Sequence, residues 1–174
     1  MKKHVWKISL LAILALGLIG ILWAHQPGRM TGGGSVFVGD MRVTHGFELY
    51  CTVDVDGTTF QPGPNNLEIN WNGNRFHLEN LEAGLCTAGV DPAPPKAPFY
   101  KFDGWGTGKY NGVSGFRIRF TLTDKGEPGV NDTAMFDIWE DANPSNDVLY
   151  VPENVLTFGN QQAHFCTGNG NCTP

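Results

Sequence analysis

The stretch G-F-R-I-R-F-T-L-T, residues 115–123, decides the fold. Phe116, Ile118, Phe120 and Leu122 fall on one side of an extended chain, and Arg117, Arg119, Thr121 and Thr123 fall on the other. That period-two alternation belongs to an antiparallel strand with one face buried; a helix would scatter the same four apolar residues around its circumference. Residues 133–139 repeat the pattern, with Ala134, Phe136 and Ile138 opposite Met135, Asp137 and Trp139. Further short strands are expected at 35–38, 42–43, 47–53, 67–71, 75–78, 100–102, 148–151, 155–158 and 163–165, separated by Gly, Asn, Asp and Pro. Asn72-Gly73, inside W-N-G-N-R, suits the positive φ angles of a tight hairpin. Long amphipathic helices are absent from the pattern. Many strands at short spacing point to an all-β domain, an antiparallel β-sandwich or jelly roll. Trp71, Phe76, Phe116, Phe120 and Phe136 are assigned to its core.

The N-terminus has a different character. Lys2, Lys3 and Lys7 lead into residues 8–23, apolar except for Ser9 and two glycines, the pattern of an export segment. The run is close enough to a membrane span that residues 1–24 read as either a signal peptide or an anchor, with cleavage after Ala24 favoured. No cysteine near it could carry a lipid. Residues 25–34 read as a flexible linker and 35–174 as a single domain with a disulfide-closed C-terminal tail, an ordinary size for one core. An extracellular, cell-surface or periplasmic location follows. Without the three leading lysines, nine Lys and Arg face 17 Asp and Glu, a formal charge of about −8. The basic residues are scattered among acids, which argues against nucleic acid as a partner.

Four cysteines, Cys51, Cys86, Cys166 and Cys172, suit disulfides in an oxidising compartment. Three pairings are formally open; Cys51 with Cys86 and Cys166 with Cys172 is the preferred one, because only T-G-N-G-N separates the second pair. No C-x2-C spacing supports zinc.

Five stretches together carry a resemblance: G-G-G-S-V-F from Gly32, R-V-T-H-G-F-E-L-Y-C from Arg42, N-N-L-E-I-N-W-N-G-N-R-F-H-L from Asn65, F-T-L-T-D-K-G-E-P-G from Phe120, and G-N-Q-Q-A-H from Gly159. Over residues 32–164, about three quarters of the chain, it resembles a recurrent β-rich domain of unknown activity found in bacterial exported and cell-surface proteins, often C-terminal. The resemblance implies an extracellular accessory domain. The chain departs from the pattern at Gln161, where another histidine is expected, and in the tail carrying Cys166 and Cys172.

G-x-S-x-G, H-E-x-x-H, the P-loop and the dinucleotide fingerprint are all missing. G-W-G-T-G-K, 104–109, imitates a P-loop without its spacing and reads as a glycine-rich hairpin. Within D-K-G-E-P-G-V-N-D, 124–132, Asp124, Glu127, Asn131 and Asp132 could offer hard oxygens to calcium, although the segment lacks EF-hand spacing and is first of all a turn. His45, His77 and His164 are candidate metal ligands should the fold cluster them, the commoner alternative being strand-borne histidines hydrogen-bonded in place. A mature N-terminal His25 with one of them would make a copper histidine brace. Trp105, Tyr110 and Trp139 are candidates for stacking on sugars. The expectation is an exported, non-catalytic surface or matrix module, adhesive or scaffolding, with a cell-surface or matrix partner such as polysaccharide. A carbohydrate-binding module and the copper protein are the alternatives.

Overall fold

The computed structural model describes residues 28–51, 65–88, 97 and 99–165. Among them are nine strands and no helix: β1 (Gly28–Val38), β2 (Met41–Tyr50), β3 (Asn66–Trp71), β4 (Asn74–Thr87), β5 (Lys101–Tyr110), β6 (Val113–Thr123), β7 (Thr133–Glu140), β8 (Asn143–Val155) and β9 (Phe158–Phe165). The order across the sheet is β8-β7-β6-β5-β4-β3-β2-β1-β9, so the chain meanders through eight strands and returns to lay β9 beside β1. Each neighbouring pair is antiparallel.

The expected all-β antiparallel architecture is present, and its hydrogen bonding runs unbroken through one nine-stranded sheet. That sheet is strongly curled. His45 on β2 and Phe136 on β7 lie five strands apart, about 24 Å in a flat sheet, yet their ring centroids are 5.1 Å apart. The inner face therefore closes on itself, and Phe76, Phe102, Phe120, Phe136, Ile69, Ile118 and Ile138 fill it, each almost wholly buried. The alternation in β6 and β7 is oriented as read: Ile118, Phe120, Leu122, Ala134, Phe136 and Ile138 point inward. Phe116, nearer the end of β6, is only half-buried against the same core. Thr121 and Thr123, expected on the wet face, are buried, where Thr121 donates to Asp103 (2.7 Å) and Thr123 meets Thr133 (2.7 Å).

Asn72-Gly73 forms the expected turn, with φ of 45° and 81°, and Asn111-Gly112 repeats it between β5 and β6 at 49° and 85°. Both are sites where an ordinary L-residue would be strained. This second turn corrects the reading of 104–109, which is not a hairpin but the middle of β5. Gly104, Gly106 and Gly108 all face inward. A Cβ at Gly104 would enter the Phe120 ring, and one at Gly108 the Phe76 ring. The missing side chains make room for aromatic rings from neighbouring strands, and a tightly curled sheet follows.

Residues 28–34, expected as linker, are likewise the first part of β1, paired with both β2 and β9. Their glycines weaken the sequence signal of a strand without preventing one, because both edges are hydrogen-bonded. The expected segment 42–43 and residues 47–50 of the expected 47–53 merge in β2, residues 52 and 53 lying outside the described residues, and 155–158 divides into the end of β8, a two-residue link and the start of β9.

Cys51 and Cys86 form a disulfide with Cα atoms 5.7 Å apart, both residues buried. β3 pairs with only the first part of β4, and the crosslink ties β2 to β4 beyond the reach of that short strand. Residues 1–25, Cys166 and Cys172 lie outside the described residues.

Candidate functional site

Four of the five sequence stretches quoted above meet at a single seam. β9 has β1 on one edge; on the other it meets the 124–132 segment joining β6 to β7. Asp124 accepts the Ala163 amide proton (2.8 Å) and Asp132 that of Gln161 (2.8 Å). Amides of alternate residues point to the same edge of a strand, so the two carboxylates stand in for a partner strand's carbonyls. Their second oxygens hold the segment itself, Asp124 through Gly126 N (2.9 Å) and Asp132 through Lys125 N (2.8 Å). Glu127 accepts from the side chains of Asn160 and Gln162. The residues picked out for calcium thus serve another purpose: Asp124, Glu127 and Asp132 are hydrogen-bond acceptors that clamp β9, while Asn131 is exposed at the turn. Among the described residues no three His, Cys, Asp or Glu side chains converge as a metal site would require.

The charges respond to this setting. Burial pushes the Asp132 carboxyl above the ordinary aspartate range, against the two amides that favour its ionised form, with Asp124 and Glu127 adding repulsion. Glu127, in contact with water, is held below the usual range by Gln162 and Asn160.

Nor do the three histidines cluster. His45 points into the core, its Nε2 3.2 Å from the side-chain amide of Gln161. The contact passes over β1 at Gly32 and Gly34, the register partners of Gln161 and His45, where there is no side chain to intervene. Desolvation lowers the His45 pKa to about 4. His77 is on the outer face of β4, 4.0 Å from Glu68, and His164 is on the outer face of β9, its Nε2 2.7 Å from Thr31 Oγ1. His25, needed for a copper brace, lies outside the described residues.

The aromatic candidates divide. Tyr110 is packed, stacked on Trp71 (5.7 Å between centroids) with its hydroxyl donating to Asn74 (3.0 Å). Trp105 and Trp139 instead share the outer face of β5–β8. Register places Ala83, Trp105, Arg119, Asp137 and Tyr150 in one row across five neighbouring strands. The next row carries Thr107, Arg117, Trp139 and Asp147. Trp105 is 37% exposed and Tyr150 57%. Between them Arg119 donates to Asp137 (3.2 Å), and Arg117 is held by Glu82 (2.6 Å) and Asp141 (3.3 Å). Burial raises the Asp137 pKa even though Arg119 opposes the shift. This face combines flat rings with fixed polar groups, the two elements a sugar ligand uses. Sequence reasoning missed Tyr150, Arg117 and Arg119 as members of it. The alternation in 115–123 did place both arginines outward; the missing step was recognising 101–110 as a strand that brings Trp105 alongside.

Comparisons with protein-family models, curated proteins and solved structures find no match for this chain.

Proposed function

We propose that this chain is an exported, non-catalytic surface or matrix module that adheres by binding glycan across the outer face of β5–β8. The observation that carries the reading is the register row of Trp105, Arg119, Asp137 and Tyr150, with Trp139 diagonal to it. From Trp105 to Tyr150 the row crosses three inter-strand steps, about 14 Å, the length of a short oligosaccharide. Ring faces can stack on the C–H faces of sugars, while the Arg119–Asp137 pair offers a donor and an acceptor held in place by each other. The other concentration of polar groups, the seam at β9, has its carboxylates occupied by backbone amides and supports closure of the sheet more than ligand binding. Export is supported by the basic and apolar lead-in of residues 2–23 and by a disulfide of the kind that persists in oxidising compartments. A two-layered, sandwich-like arrangement of the curled sheet and kinship with recurrent cell-surface domains belong to the same reading.

The test is binding to a panel of soluble oligosaccharides and insoluble polysaccharides by the oxidised protein and by Trp105→Ala, Trp139→Ala and Tyr150→Ala. Each substitution is expected to weaken binding about 10-fold, in keeping with a stacking contact near 1 kcal/mol or more, with unchanged thermal unfolding. A panel without a bound glycan, or binding indifferent to all three rings, would refute the reading.

A further inference from the structure

A second surface lies on a different sector of the curled sheet, at the β3–β4 hairpin. Thr44, Asn70 and Arg75 are neighbours in register across β2, β3 and β4. All three are on the outer face, and Arg42, two residues from Thr44, shares it beside the Asn72-Gly73 turn. Arg42, Thr44, Asn70, Asn72, Asn74 and Arg75 line an open depression of about 480 Å³, within the range of small-ligand sites.

Its charge sets it apart from the rest of the molecule. The chain is acidic overall, with a formal charge of −5. Among the described residues, Arg29, Lys101, Lys109, Arg117 and Arg119 are each in an ion pair. Arg42, Arg75 and Lys125 have no carboxylate partner there, and two of those three line this one depression. The Arg75 backbone is held by the second hairpin turn. The Arg75 amide donates to Asn111 Oδ1 (2.9 Å) and its carbonyl accepts from Asn111 N (2.8 Å). Arg42 lies over the exposed Phe158 ring, 5.6 Å from its centroid. Asn74 adds a donor, because its Oδ1 already accepts from Tyr110 and Asn111 and its amide nitrogen is left over. The one carboxylate on the adjoining row, Glu68, is held by Asn70 (3.3 Å) and faces His77. Guanidinium donors without a carboxylate of their own select an oxyanion.

We propose that this depression is a subsite for the carboxylate or sulfate of an acidic polysaccharide, Arg42 and Arg75 gripping the anion from two sides. The proposal rests on the glycan-binding reading and names its ligand class. Arg42 is on β2 and Arg75 on β4, roughly 10 Å apart laterally; Arg42 joins Arg75 on one charged sugar by swinging its guanidinium from the Phe158 ring of β9 back over β2.

The experiment is titration of the full oxidised chain with a hexamer of uronic acid, a sulfated hexamer, a neutral hexamer of the same linkage as the uronate, and inorganic phosphate, at low and at physiological salt. Uronate or sulfated hexamer is expected to bind at least 10-fold more tightly than the neutral one, with a preference that shrinks as salt rises. Arg42→Gln with Arg75→Gln should abolish that preference and leave neutral binding and the unfolding midpoint unchanged; Arg75→Glu should invert it. Trp105→Ala should weaken the neutral hexamer and keep the preference. Which charged hexamer binds more tightly separates carboxylate from sulfate. Inorganic phosphate competing as well as either hexamer would mean a bare anion site and overturn the assignment to polysaccharide. Equal affinity for neutral and charged hexamers, or a preference that survives the double substitution, would overturn the anion subsite while leaving the glycan reading intact; failure of every hexamer would overturn both.

Discussion

Asp132 is completely buried and gives its two carboxylate oxygens to the amides of Lys125 and Gln161. Read in sequence, it is one acid among several in a turn, and counting acids cannot distinguish oxygens aimed at a cation from oxygens aimed at a strand. The same ambiguity attends His45, which alternation places on the apolar side of its strand but which only the fold sets against Gln161. Its pKa, lowered from 6.5 to about 4, carries a prediction. A group with a depressed folded pKa adds stability above its unfolded pKa and loses it as pH falls toward the folded one. Between pH 7.5 and 4.5 the protein should therefore lose about 2–3 kcal/mol through this residue. Denaturant unfolding at the two pH values, compared with His45→Gln, checks it: the variant should lose correspondingly less over the same interval. Equal losses in both proteins would exclude His45 as the origin.

At the scale of elements, the strands that sequence reasoning recognised are those with regular alternation of large apolar and polar side chains, β6 and β7 above all. Those it missed or shortened lack that regularity: β5 and the start of β1 are rich in glycine, while β4 and β8 run on through polar residues and register shifts. In G-W-G-T-G-K, and at Gly32 and Gly34 beyond the buried Met30 at the start of β1, glycines stand at the inward positions, because the space is occupied by rings and backbone from their neighbours. Nothing in the local sequence reports a side chain borrowed from another strand. Gly104→Ala is expected to cost about 1–3 kcal/mol, the range for overfilling a packed core, as its methyl group would enter the Phe120 ring. Combined with Phe120→Leu, the pair should cost less than the sum of the two single substitutions, since each relieves the other. Additive losses in that double-mutant cycle would show that the ring and the glycine are not coupled. The outer face proposed to bind glycan was half legible for the same reason: Trp139 and the arginines were on recognised strands, Trp105 was assigned to a loop, and Tyr110 was grouped with them although its strand turns it toward Trp71.

For the molecule as a whole, closure is shared between a covalent bond and a set of hydrogen bonds. Cys51–Cys86 spans 35 residues of sequence, a loop whose closure in the unfolded chain is worth about 3–4 kcal/mol. Replacing both cysteines with serine should lower the stability by that order in denaturant unfolding, to the level of the reduced native chain, while glycan affinity of the folded fraction stays as it was. A variant as stable as the oxidised protein would show that the crosslink is thermodynamically idle. This pairing was legible from cysteine count and order; the clamp on β9 was not, because it joins residues 29 and 39 positions apart through side chains whose partners are backbone amides.

β1 and β9, the first and last strands described, are hydrogen-bonded to each other, and Gly28 is the register partner of Phe165. Both ends of the folded unit therefore emerge at one pole. Tension transmitted along the chain would load this pair at its terminal rung and open it one hydrogen bond after another, like a zipper, instead of shearing all the rungs together. A ligand on the outer face of β5–β8 pulling against one end would load other bonds entirely. How firmly an adhesive domain of this construction holds would thus depend on the direction from which it is pulled, with Asp124 and Asp132 as the side chains that resist β9 peeling away.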